Sequence, residues 1–277
     1  MNTLQERLND QNLSHFVVLE GGAAFGIGYE FGVLDELRHR GIDFSETHML
    51  GTSAGSWVAG AIATKLTFEE LADQPQIELF NQTPNYMHGY AEEIFGDSYA
   101  ENVNATTTEL PSLQLHIQNG GEHTLAGMAA RSSAVPGVFF PATANGKLWW
   151  DGAVSRLSMG YAHEAPKANT LIVIGALARH LSVPLGPIGD IPGRVLETKS
   201  RYDWGRWQKQ NPDSNVVYIR PNRAISKMVQ KPQDLFDFDI ARDVYWMARE
   251  QTAGFIEGPN RRDSIAALAI QNAKIPA

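Results

Sequence analysis

The sequence contains no cysteine in 277 residues. That absence excludes disulfides, thiolate-zinc sites and cysteine nucleophiles, and it is neutral about compartment. No apolar run reaches the length needed to cross a bilayer. The start, MNTLQERLND, is polar and mixed in charge, with no apolar segment ahead of a small-residue cleavage site. The expectation is a protein that is cytoplasmic, or exported without a cleavable N-terminal signal. Positive charge is also scarce: 23 Lys and Arg stand against 31 Asp and Glu, a formal net charge of −8. Nucleic acid is therefore not an expected partner, because binding phosphates needs a basic face. The short runs RPNR and GPNRR make no clustered basic patch. Internal repeats and linkers are lacking too, so a single domain over residues 1–277 is expected. The rest is ordinary, with 43% apolar and 19% charged residues, the balance of a globular protein.

What is present is a run of alternating strand and helix signals. Phe16 to Leu19 is a short apolar run ending at Gly-Gly and reads as a buried strand. A helix is expected from about Tyr29 to Arg40, with Phe31, Leu34 and Leu37 on one face and Gly41 as its stop. HML (48–50) leads into a second glycine turn, and AGSWVAGAIATKL follows as a small-residue helix. This βαβα order calls for a mostly parallel sheet covered by helices on both faces. LQLHIQ (113–118), KLWW (147–150), TLIVIGAL (170–177) and NVVYIRP (215–221) read as further strands. Residues 124–136, 238–251 and 264–273 read as helices, and 184–193 as a loop. Segments 72–111 and 181–236 lack a clear period in places and are candidates for variable or lid structure.

The turn GGAAFGIG between the first strand and helix suits a bound anion. Gly22, Gly26 and Gly28 have the spacing of a dinucleotide turn, where glycines admit a pyrophosphate to a helix N-terminus. That reading needs partners that are missing. No lysine has a tyrosine four residues before it, and no acidic residue closes the second strand.

GTSAG places Ser53 between Gly51 and Gly55, after an apolar strand and before a helix. A nucleophile elbow needs this arrangement, since small neighbours let a tight turn lift the serine clear of the sheet. The helix starting at Ala54 would aim its amides at the site. The plainer alternative is that Ser53 only caps that helix. A serine nucleophile also needs a base. A Ser-Asp-His arrangement would have to use His163 or His180, the only histidines after Asp151. Asp151 itself follows LWW and precedes Gly-Ala, where an aspartate often just forms a turn. Beside Trp149 and Trp150 it would be partly desolvated, which raises its pKa and strengthens it as a base.

Taken in order, these motifs resemble the patatin-like phospholipases. LEGGAAFG…GVLDEL is similar to that family's glycine-rich turn and first helix, GTSAG to its nucleophile elbow, and ARSSAVPGVFFPA…KLWWDGAVSRL to the stretch entering its Asp-Gly-Gly/Ala motif. DFDIARDVYWMAREQTAGF is similar to its late helix. The resemblance implies a three-layer α/β fold and hydrolysis of acyl esters of phospholipids or other lipids, with no metal or cofactor. It implies Ser53 as nucleophile, Asp151 as direct general base without histidine, and the amides of Gly21, Gly22 and Ala23 as oxyanion donors, with Ala54 as helper. The expected partner is a lipid or small ester, with transient contact at a membrane surface; Trp204, Trp207 and Phe236 are candidate docking aromatics. Two departures stand out. The family's third glycine is Ala23 and its basic residue is Phe25, and one extra residue lies between Gly26 and Gly32, so Gly26 or Gly28 would share the oxyanion task. A catalytically silent lipid-binding or scaffold relative is the alternative that this altered turn favours.

Overall fold

The computed structural model describes residues 3–8, 11–75, 77–177, 182–184 and 190–257. His180 and the helix expected over 264–273 lie outside the described residues. Along the chain come α1 (Leu4–Leu8), β1 (Leu13–Leu19), α2 (Ala23–His39), β2 (Met49–Gly51), α3 (Ala54–Thr64), α4 (Phe68–Ala72) and α5 (Tyr86–Phe95). Next are β3 (Ala100–Leu110), β4 (Gln114–Gly120), α6 (Leu125–Ser132), β5 (Ala142–Ala144), β6 (Lys147–Asp151) and β7 (Ala168–Ile174). Then follow β8 (Ser182–Pro184), β9 (Asp190–Pro192), α7 (Gly193–Gln210), β10 (Asn215–Ile219), α8 (Arg223–Ser226) and α9 (Phe238–Glu257).

Eight strands form one mixed sheet in the order β10-β7-β1-β2-β3-β6-β5, with β4 also paired to β3. β10, β7, β1, β2 and β3 are parallel; β4, β5 and β6 add antiparallel pairs. Helices cover both faces, which makes the fold α/β. The alternation along β1 explains why: Val17 and Leu19 pack into one buried cluster with α2, α3 and α9, while Phe16 and Val18 pack into a second with α1 and Trp207 of α7. A strand buried on both faces reads as an unbroken apolar run, as β1 does.

β3 departs most from expectation. It lies inside the segment marked as a candidate lid, yet it is an eleven-residue central strand buried from Val103 to Thr108. Besides Val103 and Ala105, its buried positions are Asn104 and three threonines, whose polarity hid it. They are satisfied internally: Asn104 Nδ2 donates to Met49 O (3.1 Å), and Thr108 Oγ1 donates to Asp151 O (2.8 Å).

One edge of β3 carries two strands in tandem. β2 pairs Gly51 with Ala105, and β6, running the opposite way, pairs Asp151 with Thr107. β4 pairs both of these stretches of β3, so it takes the other edge. The C-terminal ends of β2 and β6 therefore meet head to head opposite Thr106. Thr106 Oγ1 lies 2.8 Å from Thr52 Oγ1, and a Cβ on Gly152 would collide with it. β1, with β2 on one side and β7 on the other, is the point where chain order reverses. In open α/β sheets ligands bind outside the strand ends at such a point.

Candidate active site

Ser53 sits in the one-turn step from β2 to α3 with φ 51° and ψ −120°. A non-glycine residue held there costs on the order of 1–3 kcal/mol and persists only when its surroundings enforce it. The surroundings are the two glycines of GTSAG. A Cβ on Gly51 would strike the backbone of Gly55 and Ser56, and one on Gly55 would strike the backbone of Leu19. Ser53 stands at the N-cap position of α3 but makes no side-chain cap hydrogen bond. The plain capping role is thus not what its hydroxyl does.

Asp151 closes β6 and is 3% exposed. Burial raises its carboxyl from the ordinary aspartate value to about 6, against the opposing pull of the Ser53 hydroxyl and of the Ala153 amide, which donates to Oδ1 at 2.8 Å. The stretch SSA (132–134) ties the two residues together. The Ser53 amide donates to Ser132 Oγ (2.8 Å), and the Asp151 amide donates to Ala134 O (3.0 Å). Next to them, Trp57 Nε1 donates to Ser133 Oγ (2.7 Å). The residue-level reading missed this bridge, although SSAVPG was its signal.

The glycine turn supplies free amides, though not the full set expected. The Gly21 amide donates to Met159 O at 2.9 Å. It is therefore already engaged and is not a free donor. Gly22, Ala23 and Ala24 open α2, and their amides have no acceptor among the described residues. The Ala54 amide at the start of α3 is likewise open. Neither helix has an acidic residue in its first turn, so two positive helix ends are left uncompensated. Ala23 takes φ 52°, the conformation a glycine would favour. A Cβ on Gly21 would come 3.3 Å from Ser53 Cβ, which shows how closely the turn approaches the serine.

α2 begins at Ala23, six residues earlier than the sequence suggested. Gly26 and Gly28 consequently lie inside the helix and do not share the anion turn. A Cβ on Gly28 would collide with Ala241 O of α9, and Gly26 packs against Ala54 and Ala176.

The expected alternative base lies elsewhere. His163 is buried with Nδ1 3.2 Å from Asp203 Oδ1 and Nε2 3.2 Å from Glu164 Oε1. Burial alone would lower its pKa; the two carboxylates outweigh this and raise it. It does not line the cavity that holds Ser53 and Asp151. The candidate docking aromatics are also otherwise employed. Trp207 is fully buried with Nε1 donating to Ala165 O and Pro166 O, Trp204 packs on Tyr218, and Phe236 lines the cavity.

No protein-family model matches the chain, and no curated protein matches it in sequence. Among solved structures, VipD from Legionella pneumophila is similar at 14% identity with a TM-score of 0.44. The match covers 87% of this chain and 66% of the VipD chain, just under two-thirds of the latter's length. A likeness at that level is silent about chemistry.

The cavity has a volume of about 510 Å³. Ser53, Asp151, Gly22 and Ala23 line it together with an apolar wall that includes Ile27, Trp57, Met87, Phe139, Leu196 and Leu235. Leu157, half exposed, stands where the wall meets solvent. Chemically, this is a hydroxyl beside a carboxylate of raised pKa, facing unpaired amides, in a pocket suited to a hydrocarbon chain. Among the described residues no group of three or more His, Cys, Asp or Glu is placed to hold a metal ion.

Proposed function

We propose that the protein is a serine hydrolase of acyl esters, acting on lipids or small esters through Ser53 and Asp151. One observation carries the reading: a serine on an enforced positive-φ elbow shares an apolar cavity with a buried aspartate and unpaired helix-terminal amides. The ordered resemblance to patatin-like phospholipases supports it. In the proposed reaction Ser53 Oγ attacks the ester carbonyl while its proton passes to Asp151. The carbonyl oxygen becomes an oxyanion, received by the amides of Gly22 and Ala23, with Ala54 as a further donor. Asp151 then gives the proton to the departing alcohol, leaving an acyl-Ser53. Water attacks this ester while its proton passes to Asp151, and Asp151 returns that proton to Ser53 Oγ as the carboxylic acid leaves. The apolar wall holds the acyl chain. The silent-relative alternative rested on the altered turn, and the open amides at Gly22 and Ala23 weigh against it.

A fluorophosphonate probe with the adduct mapped by mass spectrometry tests the proposal. Labelling is expected at Ser53, lost in Ser53→Ala and strongly slowed in Asp151→Asn, while His163→Ala labels normally. Folded protein that takes no label at Ser53 would rule the hydrolase out.

A further inference from the structure

The 18-residue helix α7 has two unlike faces. Its inner face carries Leu196, which lines the cavity, and Trp207, which fills the core. Its two acids also point inward. Glu197 is 6% exposed and pairs with Arg201 and Arg220, and Asp203 is 2% exposed, accepting from the Ser158 hydroxyl and facing His163. The outer face is left with cations only: Arg194, Lys199, Arg206 and Lys209 form no ion pair among the described residues. Successive turns bring them into one stripe with Thr198, exposed Val195 and exposed Tyr202, since residues three and four apart are neighbours on a helix. Lys199 and Arg206 flank the Tyr202 ring at 5.8 and 5.9 Å from its centroid. Arg206 also lies within electrostatic reach of Glu164, and Lys199 of Asp203.

We infer that this outer face of α7 is a docking surface for an anionic lipid bilayer. Charge complementarity is the first argument. A stripe of unpaired cations, on a chain whose net charge is −8, meets anionic headgroups while the rest of the molecule is repelled, so the encounter is oriented as well as attracted. Position is the second. The same helix forms part of the cavity wall through Leu196, so docking α7 brings that cavity close to the bilayer. Composition is the third: Tyr202 and Val195 among lysines and arginines suit the headgroup layer, where amphipathic side chains settle. The α7 helix remains folded onto the protein and lies on the surface; it does not insert. An acidic protein offers the same charge but gives no reason for the face to sit over an apolar cavity. The inference rests on α7 and not on Ser53, so it stands or falls separately from the hydrolase reading.

The full chain carrying Ser53→Ala, which leaves the vesicles intact, is sedimented with phosphatidylcholine vesicles and with vesicles doped with phosphatidylserine. Binding is expected only to the doped vesicles, weakening as salt is raised. Arg194→Gln, Arg206→Gln and Lys209→Gln combined should reduce partitioning about 100-fold, at about fivefold for each cation. With Ser53 restored, that triple variant should keep the parent's turnover of a soluble short-chain ester and its circular dichroism. Equal binding to neutral vesicles, no binding to doped ones, or undiminished binding by the triple variant would each overturn the inference. Capture by an acidic polypeptide without vesicle binding would reassign the face to a protein partner. If the Ser53→Ala chain binds doped vesicles but the chain with Ser53 intact turns over no ester, the hydrolase reading alone is sunk.

Discussion

In the proposed reaction Asp151 is the residue on which the chemistry turns, because a carboxylate without histidine is a weak base unless its surroundings raise its pKa. Burial does so here, to about 6. Ester hydrolysis should therefore rise with pH through about 6 and level off above it, as the carboxylate loses its proton. A flat profile across that range would contradict the assignment. Asp151→Asn should lower turnover about 10²–10⁴-fold, the usual contribution of a positioned base. The same substitution should stabilise the fold. The native carboxyl keeps its proton up to a higher pH than the unfolded one, so stability falls as pH rises from about 4 to about 6 and stays lower beyond. Removing the charge should recover on the order of 3 kcal/mol at pH 8, read as an increase in urea midpoint, with little change below pH 4. An inactive protein that unfolds later is the signature expected of a site held under strain.

At the scale of elements, the glycines of α2 explain where sequence reading failed. GTSAG and DGA lie at strand ends that apolar runs reveal, so the strand-end placement of Ser53 and Asp151 was legible. The start of α2 was not, since glycines at 26, 28 and 32 look like a loop. Instead they make a smooth flank against which α9 lies. A Cβ on Gly32 would come 2.8 Å from Ala248 Cβ and collide with Tyr245 O. Gly205, in α7, has open space around it. The two glycines should respond oppositely to alanine. Gly32→Ala should destabilise by about 1–3 kcal/mol through overpacking, despite its better helix propensity. Gly205→Ala should stabilise by about 0.5–1 kcal/mol. Thermal or denaturant unfolding of both variants separates close packing from propensity. The β5–β6 hairpin was missed for a different reason: its signal is only two residues, Asn145-Gly146, at φ 52° and 73°, a pair suited to a tight hairpin turn.

Across the whole molecule, charge is distributed in a way composition conceals. A net charge of −8 gave no hint of the basic face of α7, where Glu197 and Asp203 offset two of the five cations in sequence but are buried away from the surface. Acids are buried elsewhere as well. Glu20, just before the glycine turn, is raised to about 8, chiefly by burial and further by Asp203 and Glu197, while the Ser200 hydroxyl pulls the other way. Glu30, fully buried on α2 and without a side-chain partner, is raised well above the usual carboxylate range. Stability linked to Glu20 is complete below about pH 4.5, declines as pH rises towards 8, and is lost above. Glu20→Gln should therefore flatten the pH dependence and raise the melting temperature at pH 9 more than at pH 5. Equal shifts at both pH values would show that Glu20 is not the group responsible.

The head-to-head meeting of β2 and β6 on one edge of β3 has a consequence for how the site comes and goes. Ser53 belongs to the parallel centre of the sheet, which neighbouring βα units assemble. Asp151 arrives nearly a hundred residues later on a short hairpin whose outer strand, β5, is three residues long. Opening of that hairpin would part the two residues and would leave the pairing of β1 with β2 and β7 untouched. In the proposed reaction, competence would then follow a local opening equilibrium, smaller than the free energy of global unfolding. If the proposed dyad holds, activity would be lost and regained with that opening while most of the structure stays intact.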